Sequence, residues 1–314
     1  MTDRELSEPP PSVQDVTQTS EPVTTDAAAE PLPPAILGSL SPSRAADFKT
    51  CPLLYRFRCI DRLPEPPSLA ATRGTLVHAV LEALFDQPAA DRTLETARDL
   101  LPAAWERVRT EEPEVSELFA GDPDGAAFAD WMASAAELLG TYFRLEDPRR
   151  LEPEAREQLI EVVVDGLRLR GYVDRLDVNP AGDIRVVDYK TGSAPREAYE
   201  AKALFQMKFY ALVLWRTRGV VPLQLRLMYL SDTDTLSYAP EAEELLRFER
   251  TVLAIWAAIQ RAVLTGDFRP SPSRLCEWCG HKERCPAFGG TPPPYPENPM
   301  LTDPRDDDPA VRNP

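Results

Sequence analysis

The chain has 314 residues, enough for one large domain or two ordinary ones with a sizeable core. Acids outnumber bases 51 to 35, and the net charge of −16 argues at first sight against a protein that binds nucleic acid. The charge is uneven, however, because residues 86–161 carry a net −11 whereas residues 44–73 carry a net +3, so a local anion-binding surface is not excluded.

The two ends of the chain differ from the rest. Residues 1–35 and 289–314 are rich in proline, charged and poor in aromatic residues, which predicts disordered tails around a domain over 36–288. No apolar stretch reaches the ~18–20 residues that span a bilayer, and the first residues lack the basic and apolar parts of a signal peptide. We therefore expect a cytoplasmic protein without a membrane partner, whose five cysteines are reduced and favour a metal site over disulfides.

The first predicted elements are helical. A short helix is expected over 42–48, with Ser41 as its N-cap and Pro42 in its first turn. A second helix is expected over about 68–85. Aromatic and leucine residues at helical spacing predict two or three more helices over 92–147. These would form a helical insertion over about 86–158, in which we recognise no chemistry.

From residue 159 the pattern is that of strands. A strand over 159–164, a two-residue turn at Asp165-Gly166 and a long strand over 167–178 predict a hairpin, with Gly171 marking a bulge or bend. A third strand is expected over 184–190, a helix over 196–218, a fourth strand over 223–230 with a short partner over 235–238, and a last helix over 241–264. This order predicts an α/β fold with a mixed sheet flanked by helices.

Charged residues lie on two of these strands. Asp188 and Lys190 are two positions apart and therefore share a face. The 179–183 loop would bring Asp174 of the preceding strand close to Asp188. Two neighbouring carboxylates repel each other unless a cation lies between them, and oxygen ligands suit Mg²⁺ or Mn²⁺. The alternative is an ordinary surface pair of Asp188 and Lys190.

Polar residues also lie on two predicted helices. His78 is one of only two histidines and would share a helix face with Glu82, although a buried core histidine is the more common situation. Gln206 and Tyr210 are four positions apart on the helix that follows Lys190 and would therefore share one face of it. The alternative is an ordinary, partly exposed amphipathic helix.

Five motifs follow one another along the chain. They are Ser41-Pro42-Ser43 with Phe48, Cys51-Pro52 and Tyr55; Gly74 with His78 and Glu82; Gly171 with Asp174-Arg175 and Asp177; Asp188-Tyr189-Lys190-Thr191-Gly192; and Gln206 with Tyr210. Each motif is weak alone. In this order they resemble the RecB-like exonuclease branch of the PD-(D/E)XK nuclease superfamily, over about residues 40–288 and without a motif match in the insertion.

The resemblance implies a restriction-endonuclease-like fold and a divalent-metal-dependent DNA exonuclease, acting on single strands or ends in repair or recombination. His78, Asp174 and Asp188 would hold Mg²⁺ or Mn²⁺ together with the Tyr189 carbonyl. Lys190 would activate the attacking water and stabilise developing charge. Asp177 is ranked behind Asp174 as a ligand because it has the opposite strand parity.

Two further roles follow from the same resemblance. Gln206 and Tyr210 would position the DNA backbone or Lys190. DNA is expected to bind mainly through residues 44–73 and through the helix carrying Lys202 and Lys208, not through the acidic insertion. The alternative is a non-cleaving DNA-binding scaffold, or a nuclease-derived partner of a helicase, another repair protein or a CRISPR-adaptation complex.

The cysteines predict a second metal site. Cys276, Cys279 and Cys285 are clustered, and a fourth ligand would have to come from Cys51, Cys59 or His281. Cys51 precedes proline in the first motif, as in the iron–sulfur staple of AddB-type and CRISPR-adaptation exonucleases. That resemblance implies a [4Fe–4S] cluster on Cys51, Cys276, Cys279 and Cys285, with structural Zn²⁺ as the alternative. A basic rim that faces DNA is expected around it, formed by Arg44, Lys49, Arg56, Arg58 and Arg274.

Overall fold

The computed structural model describes residues 38–194, 197–297 and 299, without the side chains of 197–202. The expectations for the tail over 1–35, for residues 300–314 and for the Lys202 side chain lie outside these residues. Residues 289–297, expected to belong to a disordered tail, instead pack on the domain. Tyr295 donates a hydrogen bond to the carbonyl of Val263 at 2.8 Å, and its ring lies 6.0 Å from that of Phe268.

Eight α-helices are described, joined in places by short 3₁₀ turns and by one π-helical turn over Arg56–Ile60. They are α1 (Pro42–Thr50), α2 (Pro52–Tyr55), α3 (Leu69–Leu84), α4 (Leu94–Asp99), α5 (Leu101–Glu111), α6 (Ala126–Leu145), α7 (Glu197–Arg218) and α8 (Ala242–Thr265). Ser41 and Ser68 cap the first turns of α1 and α3 by accepting backbone N–H groups, as serine does at this position. None of the described helices is both long and apolar enough to cross a membrane.

The described strands form one six-stranded mixed sheet, so the predicted fold class is confirmed. They are β1 (Gly38–Leu40), β2 (Ala155–Val164), β3 (Leu167–Val178), β4 (Ile184–Lys190), β5 (Gln224–Tyr229) and β6 (Asp234–Tyr238). The β2–β3 turn has φ values of 48° at Asp165 and 78° at Gly166, as a tight hairpin turn requires. Helix α7 forms the crossover between the parallel strands β4 and β5.

Strand β3 organises the sheet because both of its edges are used. Strand β2 pairs antiparallel along one edge, from 167 to 176. The other edge is shared, since β1 pairs parallel with 167–169 and β4 pairs antiparallel with 175–178. On that edge, no described strand pairs with positions 170–174, because β1 ends its pairing at 169 and β4 begins at 175. A gap therefore opens in the sheet beside the middle of β3.

Both faces of the sheet are covered. Val186, Leu225 and Leu227 contribute to the core formed with α1, α7 and α8, whereas Val187 and Met228 contribute to the core formed with α3–α6. This alternation follows from the period of a strand. The helical insertion is thus one of the two layers that bury the sheet.

Two local expectations differ from the structure. Gly171 forms no bulge, since it pairs in regular register with Ile160. A Cβ atom at Gly171 would lie 2.7 Å from Cε1 of Tyr210, so the glycine is needed for the close approach of that ring. Strand β2 begins at Ala155, four residues before the expected strand, so the end of the predicted insertion belongs to the sheet.

Candidate active site

The candidate site lies where β3 and β4 separate. Their last pair is Arg175–Val187, and Asp174 and Asp188 occupy the next positions of the same register. Here the Asp174 carboxylate, through Oδ2, accepts the backbone N–H of Tyr189 at 2.6 Å. This bond takes the place of a ladder bond, so it fixes the Asp174 side chain at the gap.

Three potential metal ligands meet at this gap. Nδ1 of His78 lies 3.5 Å from Oε1 of Glu157 and 3.6 Å from Oδ1 of Asp174. One ligand atom from each of these residues lies within 4.8 Å of the other two. An imidazole nitrogen and two carboxylates form a donor set that suits Mn²⁺ or Mg²⁺.

The other ring nitrogen of His78 sets its tautomer. Nε2 lies 2.9 Å from the carbonyl oxygen of Tyr189, which can only accept a hydrogen bond. Nε2 therefore carries a proton, and in the neutral ring Nδ1 presents its lone pair to Glu157 and Asp174. The Tyr189 carbonyl, expected from the resemblance to bind metal, contacts His78 in this arrangement.

Sequence reasoning missed Glu157. Its φ of 43° interrupts the β2–β3 ladder, which has the pairs Arg156–Arg175 and Gln158–Val173 but none between them. Such a backbone conformation costs a non-glycine residue roughly 1–3 kcal/mol, and residues held this way cluster at functional sites. A signal was available, since counting back from the turn at 165–166 pairs position 157 with Asp174.

A hydrogen-bonded chain forms the second half of the site. Nζ of Lys190 lies 2.6 Å from Oδ2 of Asp188 and donates to Oε1 of Gln206 at 3.0 Å. Nε2 of Gln206 contacts both Oδ1 of Asp188, at 3.1 Å, and the hydroxyl of Tyr210, at 2.9 Å. The structure thus brings the predicted residues Asp188, Lys190, Gln206 and Tyr210 together.

Burial and charge shift several pKa values at the site. Burial opposes protonation of His78, but the neighbouring Asp174, Glu157 and Asp188 carboxylates outweigh it and raise the pKa of His78 to about 9. Burial raises the pKa of Asp188 to about 6 despite the Lys190 ammonium. Burial also raises the pKa of Asp174, and the nearby His78 partly offsets this increase. Negative charge thus concentrates in a poorly solvated place, where a divalent cation would neutralise it.

Two acids of the motifs are engaged elsewhere. Asp177 pairs with Arg175 at 3.0 Å and with Arg185 at 2.7 Å, which agrees with its lower rank as a ligand. Glu82 pairs with Arg107 of α5 at 2.7 Å. Neither belongs to the described group of three metal ligands.

Arg175 supports the site from behind. Its side chain is fully buried, donates to the hydroxyl of Tyr189 at 2.8 Å and pairs at 2.5 Å with Glu146, the C-cap residue of α6. Tyr189 is therefore held by its ring hydroxyl, its N–H and its carbonyl at once. The motif contained Arg175, but sequence reasoning assigned it no role.

The four predicted cysteines also meet. Cys51, Cys276, Cys279 and Cys285 line one small, largely apolar cavity, which neither Cys59 nor His281 lines. The thiol sulfur of Cys51 accepts the N–H of Ser271 at 3.4 Å, and that of Cys276 accepts the N–H of Ser273 at 3.3 Å. His281 is buried and lies 2.7 Å from Glu65. Of the three candidates for a fourth ligand, Cys51 is therefore the one that shares a cavity with Cys276, Cys279 and Cys285.

Several bases expected to face DNA are neutralised. Arg56 is buried and pairs with Asp61 at 3.0 Å, and Arg58 pairs with Asp47 and Glu65, each at 2.8 Å. Lys208 pairs with Glu244 of α8 at 2.7 Å. Each of these three residues thus has a carboxylate partner that balances its positive charge.

Comparisons with known proteins show the family and the fold of the chain. The family model of the PD-(D/E)XK nuclease superfamily matches residues 39–286. The gene 69 protein of Mycobacterium phage D29 is 25% identical over 268 residues, and that of Mycobacterium phage L5 is 24% identical over 285, each covering 79% of this chain and 96% of the relative. The fold is similar to the crystal structure of a candidate exonuclease from Eubacterium rectale, with a TM-score of 0.53 and 15% identity over 78% of this chain and 88% of that one.

Proposed function

Because the chain belongs to the PD-(D/E)XK nuclease superfamily, we propose that it is a divalent-metal-dependent deoxyribonuclease of the RecB-like branch. We propose further that it degrades single strands or ends of DNA as an exonuclease, in repair or recombination. One observation carries the proposal: the His78–Glu157–Asp174 group and the Asp188–Lys190 pair meet at a single gap in the sheet. Hydrolysis of a phosphodiester needs both a metal site and a cation near the developing charge.

Each residue has a distinct part in this proposal. His78, Glu157 and Asp174 would hold the metal, with Asp188 as the further predicted ligand. When bound, the metal supplies Lewis-acid polarisation of the phosphate and lowers the pKa of a nearby water. Gln206 holds the Lys190 ammonium in place, where it stabilises charge that develops on the phosphate. Asp188, with a pKa of about 6, is ionised at neutral pH and keeps Lys190 protonated.

We infer that the cysteine cavity holds a [4Fe–4S] cluster with a structural role. Its four thiols come from two distant parts of the chain, and backbone N–H groups point at two of the sulfurs. Such hydrogen bonds stabilise thiolate ligands. Anaerobically purified protein should contain about four irons per chain, and Cys51→Ser should lose them, whereas the control Cys59→Ser should retain them. One stoichiometric zinc in place of iron would refute the cluster.

Cleavage assays test the catalytic proposal. A labelled linear single strand and a closed single-stranded circle are incubated with Mg²⁺, Mn²⁺ or EDTA. We expect metal-dependent degradation of the linear strand only, lost in Lys190→Met and retained in Arg250→Gln, which removes an exposed charge from α8. Cutting of the circle would replace the exonuclease by an endonuclease. DNA binding without cleavage under any metal would favour the scaffold instead.

A further inference from the structure

A second polar cleft lies beside the candidate active site. It has a volume of about 520 Å³ and is lined by Arg73 of α3, Arg98 of α4 and Arg144 of α6. Its size falls in the range of sites that take small ligands. We call it the arginine cleft. Two of its three arginines come from the insertion, in which the sequence showed no chemistry.

The arginines of this cleft keep their charge. Among the described residues, none of the three has a carboxylate within ion-pair distance, although most other arginines that the structure describes do. Neutral hydroxyls hold two of them instead: Arg73 donates to Ser134 at 3.1 Å, and Arg144 donates to Thr141 at 2.7 Å. Glu137 also lines the cleft and is exposed. Three guanidinium groups against one carboxylate leave an excess of positive charge inside a segment that is otherwise strongly acidic.

The arginine cleft adjoins the end of the strand that carries Asp188 and Lys190. Leu230 and Ser231 line the cleft. The N–H of Leu230 bonds to the carbonyl of Lys190 at 2.8 Å, and the Ser231 hydroxyl bonds to the carbonyl of Thr191 at 2.7 Å. On α3, Arg73 precedes His78 by five residues, roughly 7.5 Å along the helix axis. The cleft and the candidate active site therefore share helix α3 and the end of strand β4.

We propose that the arginine cleft binds a phosphate group of the substrate strand, close to the bond that is cut. Planar guanidinium groups match the geometry of phosphate oxygens, and groups already held by neutral hydroxyls lose little entropy when the anion binds. The inference rests on the proposed nuclease function and adds a substrate contact supplied by the helical insertion. The phosphate is either the terminal group of a DNA end or an internal phosphodiester, and the test separates the two.

Salt-dependent binding measures this contact. Anisotropy of a labelled single strand is recorded in Mg²⁺ with the Lys190→Met protein, which binds DNA without cutting it under the proposed function. Each phosphate contact to a single strand contributes about 0.7 to the slope of log K against log salt. Because the cleft is proposed to bind one phosphate group, adding Arg98→Gln and Arg144→Gln together should lower the slope by about 0.7 and weaken binding. The matched control Arg150→Gln removes an exposed arginine of the insertion that does not line the cleft, and should change neither quantity.

Further arms make the result decisive. The Arg98→Lys, Arg144→Lys protein should keep the wild-type slope, which excludes misfolding as the cause of the loss. Linear strands with a 5′-phosphate or a 5′-hydroxyl and a closed circle show whether the bound phosphate is terminal or internal. If the Arg98→Gln, Arg144→Gln variant kept the slope of its Lys190→Met parent while the wild-type enzyme cleaved DNA, this inference alone would be overturned. Absence of both binding and cleavage with wild-type protein would overturn the proposed function as well.

Discussion

Gly171→Ala should damage the active site by moving Tyr210. The added Cβ would lie 2.7 Å from Cε1 of Tyr210, whereas ordinary contact begins at 3.4 Å, so the ring must shift by about 0.7 Å. Tyr210 is 2% exposed and has little room to give. Its hydroxyl accepts from Gln206, which in turn accepts from Lys190, so the shift is passed to the ammonium.

The size of both effects can be worked from this overlap. Overpacking of a dense core costs about 1–3 kcal/mol, and each kcal/mol lowers the melting temperature of a domain of this size by roughly 2–4 °C. We therefore expect a fall of roughly 2–12 °C. Misplacement of a catalytic group by about 1 Å can cost about 100-fold in rate. A shift of this size should lower kcat at least about tenfold, with a smaller change in KM.

Calorimetric melting and single-strand cleavage measure the two effects. Gly121→Ala is the matched control, because a Cβ there meets no atom within 4 Å, and it should behave as wild type. Tyr210→Phe separates packing from hydrogen bonding, since it keeps the ring and removes the hydroxyl. If Gly171→Ala melted and cleaved as wild type does, Tyr210 would not constrain the Lys190 position.

Three other changes test the remaining features. Glu157→Gln should weaken Mn²⁺ binding by about tenfold or more, because it removes one of three ligand groups; unchanged affinity in titration calorimetry would remove Glu157 from the site. Lys190→Met should abolish cleavage yet leave the protein folded, because Asp188, left without its cation, takes up a proton; turnover within a few-fold of wild type would exclude Lys190 from catalysis. Burial opposes ionisation of Glu146, but hydrogen bonds from Arg175 prevail and lower its pKa below 4.5, so its stabilisation is complete above pH 4.5 and is lost as the pH falls through the folded-state value. In Glu146→Gln the melting temperature should therefore fall less steeply as the pH decreases below 4.5. The same fall in wild type and variant would show that Glu146 does not contribute this stabilisation.

Most of the fold could be predicted because long elements carry strong periodic signals. The strand bounds 167–178 and 184–190 agree with β3 and β4 residue for residue, since turn residues mark both ends of each strand. Strand β1 was not predicted, because three residues are too few to show alternation. Its parallel pairing with β3 joins positions more than 120 residues apart, and no local pattern reports such a contact.

Most residues of the candidate site could be predicted from the sequence, but their spatial arrangement could not. Asp174, Asp188, Lys190, Gln206 and Tyr210 could be proposed because each lies in a short motif on a regular element. Their mutual distances could not, since they depend on where β3 and β4 separate. The pairing of Lys208 with Glu244 was equally invisible, because it depends on how α7 and α8 pack.

The helical insertion acts on the site through Tyr189. Arg175, buried with no exposed area, can keep its charge in the core only because Glu146 and Asp177 neutralise it. Glu146 is the C-cap residue of α6 in the insertion, and the same guanidinium holds the Tyr189 hydroxyl. The backbone of Tyr189 in turn orients His78 and Asp174. Removal of the insertion would therefore leave Arg175 with one of its two carboxylate partners, directly behind the candidate metal ligands, so the site and its insertion form one structural unit.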